Sequence, residues 1–83
     1  MKVKNRKYAV VIEKGKSGYS AYPPDLPGVG VAAETLKEVE RLVREAIQFH
    51  IEGLRLHGEA VPPPTSICEY IDIDAEEPEP ATR

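Results

Sequence analysis

One helix, marked at both ends, limits what this chain can become. Thr35-Leu36-Lys37-Glu38 fits a capping box, in which the Thr35 hydroxyl accepts from the Glu38 amide and Glu38 reaches back to the Thr35 amide. Gly58 supplies a residue that tolerates a left-handed stop, and Pro62-Pro63-Pro64 forbids continuation. The segment between predicts a helix of about 22 residues, roughly 33 Å long. The whole chain has 83 residues, so this helix takes a quarter of it and leaves room for one small domain only. Val39, Val43, Ala46, Ile47, His50 and Leu54 form one helical stripe. Leu42, Phe49 and Leu56 form a second, shifted around the barrel. One stripe is expected to pack on a sheet. The other is apolar surface left over, and on a domain this small it predicts a contact between subunits.

The remaining sequence reads as short strands. In Lys7–Lys14, Tyr8, Val10 and Ile12 share one face while Ala9 and Val11 share the other. Both faces are partly apolar, which predicts a central strand. Gly15-Lys16-Ser17-Gly18 is a turn, and Tyr19–Tyr22 is a second strand antiparallel to the first. Pro23-Pro24-Asp25-Leu26-Pro27-Gly28 must be irregular, with Gly28 expected at positive φ. Val29–Ala33 is a third strand. After the proline spacer, Thr65–Ile73 predicts a fourth, with Ile67, Glu69, Ile71 and Ile73 on one face and Cys68 and Tyr70 on the other. The expected fold is α+β, a single β-β-β-α-β domain with one long helix on a mixed sheet. The domain covers residues 1–74, and residues 75–83 form an acidic tail that is disordered by composition.

Charge is graded along the chain. Residues 1–16 carry Lys2, Lys4, Arg6, Lys7, Lys14 and Lys16 against Glu13 alone; residues 69–83 carry Glu69, Asp72, Asp74, Glu76, Glu77 and Glu79 against Arg83. The net charge is −3, which disfavours general nucleic-acid binding; the acidic end reads first as a solvated surface with an acidic tail, and more sharply as a patch for a basic protein partner. The longest apolar run, Ala9–Ile12, is far too short to span a membrane, and no apolar stretch follows the basic N-terminus as a secretory signal requires. Cys68 is the only cysteine, which excludes an internal disulfide and predicts a small buried hydrophobe in a reduced, cytoplasmic protein.

Catalytic chemistry finds few candidates. Glu69 and Asp72 point to opposite faces of their strand, so paired carboxylates for metal-assisted hydrolysis are not expected. Gly28-Val29-Gly30 precedes a strand rather than a helix and is too short for a phosphate loop. His50 and His57 lie two helical turns apart, about 10 Å, too far to share one ion. His50 is expected as an interior histidine and His57 as a cap of the helix C-terminus. The tyrosines Tyr8, Tyr19, Tyr22 and Tyr70 lack interleaved Lys or Arg and read as sheet packing. No enzyme, cofactor or metal is expected.

Tyr8-Ala9-Val10-Val11-Ile12-Glu13, Gly18-Tyr19-Ser20-Ala21, Pro24-Asp25-Leu26-Pro27-Gly28, Thr35-Leu36-Lys37-Glu38-Val39, Glu45-Ala46-Ile47 and Gly58–Pro64 together resemble the HicB antitoxin N-terminal domain, over roughly residues 7–73. The loop Pro24, Asp25, Leu26, Pro27, Gly28 is the most specific of these motifs. Val29 stands where the family usually has Cys, and Val39 where it often has Ala. The resemblance implies a degraded RNase H-like domain without catalytic carboxylates. It implies a non-catalytic antitoxin that binds and masks a HicA-type mRNA-cleaving toxin. Expected partners are that toxin and copies of the chain itself, as a dimer or tetramer. Leu42, Phe49 and Leu56 are the expected oligomer contact, and Glu69, Asp72 and Asp74 the expected acidic face toward the toxin. Full-length relatives append a DNA-binding domain; this chain ends at Arg83, so DNA binding is not expected of it. The alternative is a solitary oligomeric HicB-like binding domain with no toxin partner.

Overall fold

The computed structural model describes residues 6–74. Three strands, β1 (Val11–Lys14), β2 (Tyr19–Tyr22) and β3 (Val31–Ala33), precede one helix, α1 (Leu36–Leu56). The strands form an antiparallel meander in the order β1-β2-β3. Ile12 pairs with Ala21 and Lys14 with Tyr19; Tyr19 in turn pairs with Ala33 and Ala21 with Val31. That register places Val10, Ile12, Tyr19, Ala21, Val31 and Ala33 on one face, because side chains alternate along a strand.

The helix covers this face with the row Val39, Val43 and Ile47, spaced four residues apart. Val39, Val43 and Ala21 are the buried centre, and Val10, Tyr19, Val31, Ala33 and Ile47 close around them. The small Ala21 side chain lets the helix approach the middle strand. The opposite sheet face, with Glu13, Ser20, Tyr22 and Ala32, is open to water, as an antiparallel sheet permits.

Both helix ends follow their local chemistry. Thr35 is the N-cap, extended at φ −123° and ψ 156°, and its hydroxyl accepts from the Glu38 amide at 3.1 Å. The reciprocal arm of the expected capping box does not form. Glu38 instead pairs with Arg41, one turn along, and Arg41 also reaches Glu45 at 2.9 Å. These pairs are exposed and stabilise the helix little. At the other end Gly58 takes φ +70°; its amide donates to Arg55 and the Glu59 amide donates to Leu54, the paired bonds of a Schellman stop. The His57 ring, at the C-cap, sits 2.9 Å from the Gly53 carbonyl, as the sequence suggests for a helix end.

Three expectations need correction. The first strand is Val11–Lys14 rather than Lys7–Lys14, and it lies at the sheet edge, not its centre. The third strand begins at Val31 rather than Val29. The fourth strand is absent: residues 59–74 are in neither helix nor strand, and Ile67, Tyr70, Ile71 and Ile73 are all exposed, Tyr70 fully. The sheet is therefore purely antiparallel rather than mixed. The physical reason is where the chain is tied after the helix. Tyr8 donates to the Pro62 carbonyl at 2.6 Å, the three prolines are stiff and carry no amide hydrogen, and the next two residues are held elsewhere. Residues 75–83, expected as an acidic tail, lie outside the described residues, as do Lys2 and Lys4.

Gly28 tests the loop that connects β2 to β3. It sits at φ +90°, the left-handed region, with open space where a side chain would go. Gly28→Ala therefore costs backbone strain alone, about 1 kcal/mol. In a domain of this size that lowers the thermal midpoint by about 4–8 °C; an unchanged midpoint would count against a structural role for the glycine.

Candidate partner-binding site

The loop Pro24, Asp25, Leu26, Pro27, Gly28 is built as a buckle. Pro23 and Leu26 are fully buried, so apolar packing pins the loop to the body. The Leu26 amide donates to Pro23 and the Val29 amide to Leu26, which closes two successive turns. Asp25 is thereby aimed at the returning chain. One carboxylate oxygen accepts from the Thr65 and Ser66 amides, both at 2.8 Å. The other accepts from the Ser66 hydroxyl at 2.8 Å and the Thr65 hydroxyl at 3.1 Å. Four donors favour the ionised form: those of Ser66 most, then those of Thr65, hold the Asp25 carboxyl below its ordinary value.

Beyond this clasp runs the acidic, apolar segment. Glu69, Asp72 and Asp74 are exposed, but on an unpaired stretch of chain rather than on a sheet. By strand periodicity Asp72 and Asp74 fall on the face of Cys68 and Tyr70, while Glu69 falls with Ile67, Ile71 and Ile73. Cys68, expected as a buried hydrophobe, is exposed because its segment joins no sheet. The Leu42, Phe49 and Leu56 stripe divides. Phe49 and Leu56 are exposed, and Leu42 is half-buried beside Ala32–Thr35 and Glu38. His50 is half-buried.

A groove of about 730 Å³ runs between α1 and the chain from Arg6 to Ile12 that leads into β1. Its floor is Tyr8, Val10, Ile12, Val43 and Ile47; Arg6, Lys7 and Arg44 put positive charge on its rim, with Glu40 the one acid there. Sequence reading does not find this groove, since it assigns β1 to the centre of the sheet. Nor does it find Thr65 and Ser66 as partners of Asp25, because hydrogen bonds across 40 residues leave no local pattern. Among the described residues no group of three or more His, Cys, Asp or Glu could hold a metal ion, and no helix is long and apolar enough to cross a membrane.

The match to known proteins takes in the sheet, the buckle loop, the helix and the returning chain. A family model described as HicB_like antitoxin of bacterial toxin-antitoxin system matches residues 8–79. The chain belongs to the HicB-like antitoxin family. A UPF0150 protein of Thermoplasma acidophilum is 40% identical over 57 residues, 68% of this chain and 83% of that one. A UPF0150 protein of Archaeoglobus fulgidus is 43% identical over 47 residues, 55% of this chain and 68% of the relative. An uncharacterized 14.9 kDa protein of Haemophilus phage HP1, from the rep-hol intergenic region, is 42% identical over 65 residues. That match takes in 78% of this chain and about half of the phage protein, 49%.

The clasp carries a pH signature. A carboxyl whose folded-state value is depressed contributes stability that is complete above its ordinary value, 3.8 here, and is lost as pH falls through the lower folded value. The Thr65 and Ser66 amide resonances should titrate together with a midpoint below 3.8, and Asp25→Ala should abolish that titration while leaving α1 intact. A midpoint at or above the ordinary value contradicts the clasp.

Proposed function

We propose that this chain is a non-catalytic antitoxin that binds and masks a HicA-type mRNA-cleaving toxin in the cytoplasm. The observation that carries the reading is the family match over residues 8–79. The domain would be a degraded relative of the RNase H-like fold, contributing a scaffold without its chemistry. The charge of the molecule supports the partner class. A ribonuclease that grips RNA presents a basic face, and this chain is acidic overall, with Glu69, Asp72 and Asp74 exposed on one segment. Asp72 and Asp74, on the face away from the isoleucine row, are the residues we assign to the toxin. Opposite charges steer the encounter, so association slows as salt shortens the Debye length to about 8 Å at physiological ionic strength.

A second reading, a solitary HicB-like binding domain without a toxin, has one observation in its favour. The matched 57 residues are 83% of the Thermoplasma relative, so that relative is itself shorter than this chain.

The two separate in one experiment. The protein is mixed with a HicA-like toxin encoded beside it, and RNA cleavage is followed. Cleavage should fall to background at a stoichiometric amount of antitoxin, with a complex on a sizing column, and Asp72→Lys with Asp74→Lys should slow association. Undiminished cleavage in excess antitoxin, without a complex, rejects the toxin-masking reading in favour of the solitary one.

A further inference from the structure

Two features of the chain are unfinished, and they fit each other. β1 has one ladder partner, β2, so its outer edge presents unpaired amides and carbonyls among the described residues. The chain that runs into it, Tyr8 to Ile12, is wholly apolar, and Ile12 within β1 is still exposed. Residues 67–73 have the opposite problem. They alternate as a strand does, with Ile67, Ile71 and Ile73 on one face, yet these side chains are 83%, 71% and 76% exposed. We propose that residues 67–73 of one copy of this chain add as a fourth strand to the outer edge of β1 in a second copy, and that the exchange is reciprocal.

The occupant is set by length, charge and direction. The groove follows the chain from Arg6 to Ile12, seven residues, and Ile67–Ile73 is also seven. In the register that turns the isoleucines toward α1, they meet the floor of Val10, Ile12, Val43 and Ile47. Glu69 shares their face and meets the rim of Arg6, Lys7 and Arg44. Asp72 and Asp74 then stay on the outer face with Cys68 and Tyr70. The tether points the segment outward. Pro62 lies beside Tyr8, ahead of β1, and the Asp25 clasp takes Thr65 and Ser66 across the end of the sheet to the loop that follows β2. The segment therefore starts on the side of β1 away from its own open edge, fixed there by the clasp at Thr65 and Ser66. A second copy offers the same groove without that constraint, and reciprocal exchange closes the assembly as a two-fold dimer. The contact differs from the Leu42, Phe49 and Leu56 stripe that the sequence suggests.

The lone cysteine permits a direct test with the full chain. Cys68 is exposed and falls on the face opposite the isoleucines, so a spin label there leaves the groove face untouched. Labelled protein is mixed in equimolar amount with isotope-enriched Cys68→Ser protein at about 100 µM, where weak dimers form. Amide signals of residues 8–14 in the enriched copy should broaden. Ile71→Lys should leave the far-ultraviolet spectrum of the body unchanged, since the side chain touches no core, while weakening the dimer about tenfold or more. A monomer by sedimentation at that concentration, broadening confined to residues 42–56, or undiminished affinity in Ile71→Lys would each overturn the exchange. No toxin is present in this test, so its failure leaves the toxin-masking reading standing, and the converse holds.

Discussion

The Asp25 carboxylate joins two parts of the chain that are 40 residues apart, and the shape of the molecule depends on where it does so. Two oxygens take four hydrogen bonds from Thr65 and Ser66. Each such bond to an ionised acceptor is stronger than a neutral one, and Pro23 and Leu26 hold the acceptor in place by burial. The returning chain is thus fastened at the end of the sheet rather than along its side. Residues 67–74 are left without a strand partner in the same body, and among the described residues the outer edge of β1 is left without a fourth strand.

That arrangement suits the size of the domain. The buried centre consists of three small side chains, Ala21, Val39 and Val43, with Leu26 and Pro23 under the loop. A chain of this length hides only about 60–65% of its unfolded surface, so partners contribute to its stability. The isoleucine row and the acidic row of one segment face opposite ways. In the assembly proposed, a second copy takes one row through apolar burial and a basic toxin the other through charge.

The sequence was most legible where structure is decided within a few residues. Thr35 and Glu38 locate the helix start because capping is a bond across three residues, and Gly58 locates its end because its backbone must turn left-handed. Tyr19–Tyr22 and Gly28 are local in the same way. The second half of the capping box failed because Arg41, one turn on, competes for Glu38. The strand expected at 65–73 does not form, because alternation reports that a segment can join a sheet, not that it does. The Asp25 contact to Thr65 and Ser66, which decides the matter, is long-range and polar, and it has no periodic signature. The groove went unseen for the same reason, since β1 reads as central from its own residues.

Amide hydrogen exchange at two protein concentrations tests the central claim, that the open β1 edge and the loose segment complete each other between copies. Protection of the outward-facing β1 amides and of residues 67–73 should rise together with concentration, while α1 stays protected throughout. Protection at both places that is independent of concentration, or segment amides exchanging freely at the highest concentration, would contradict it.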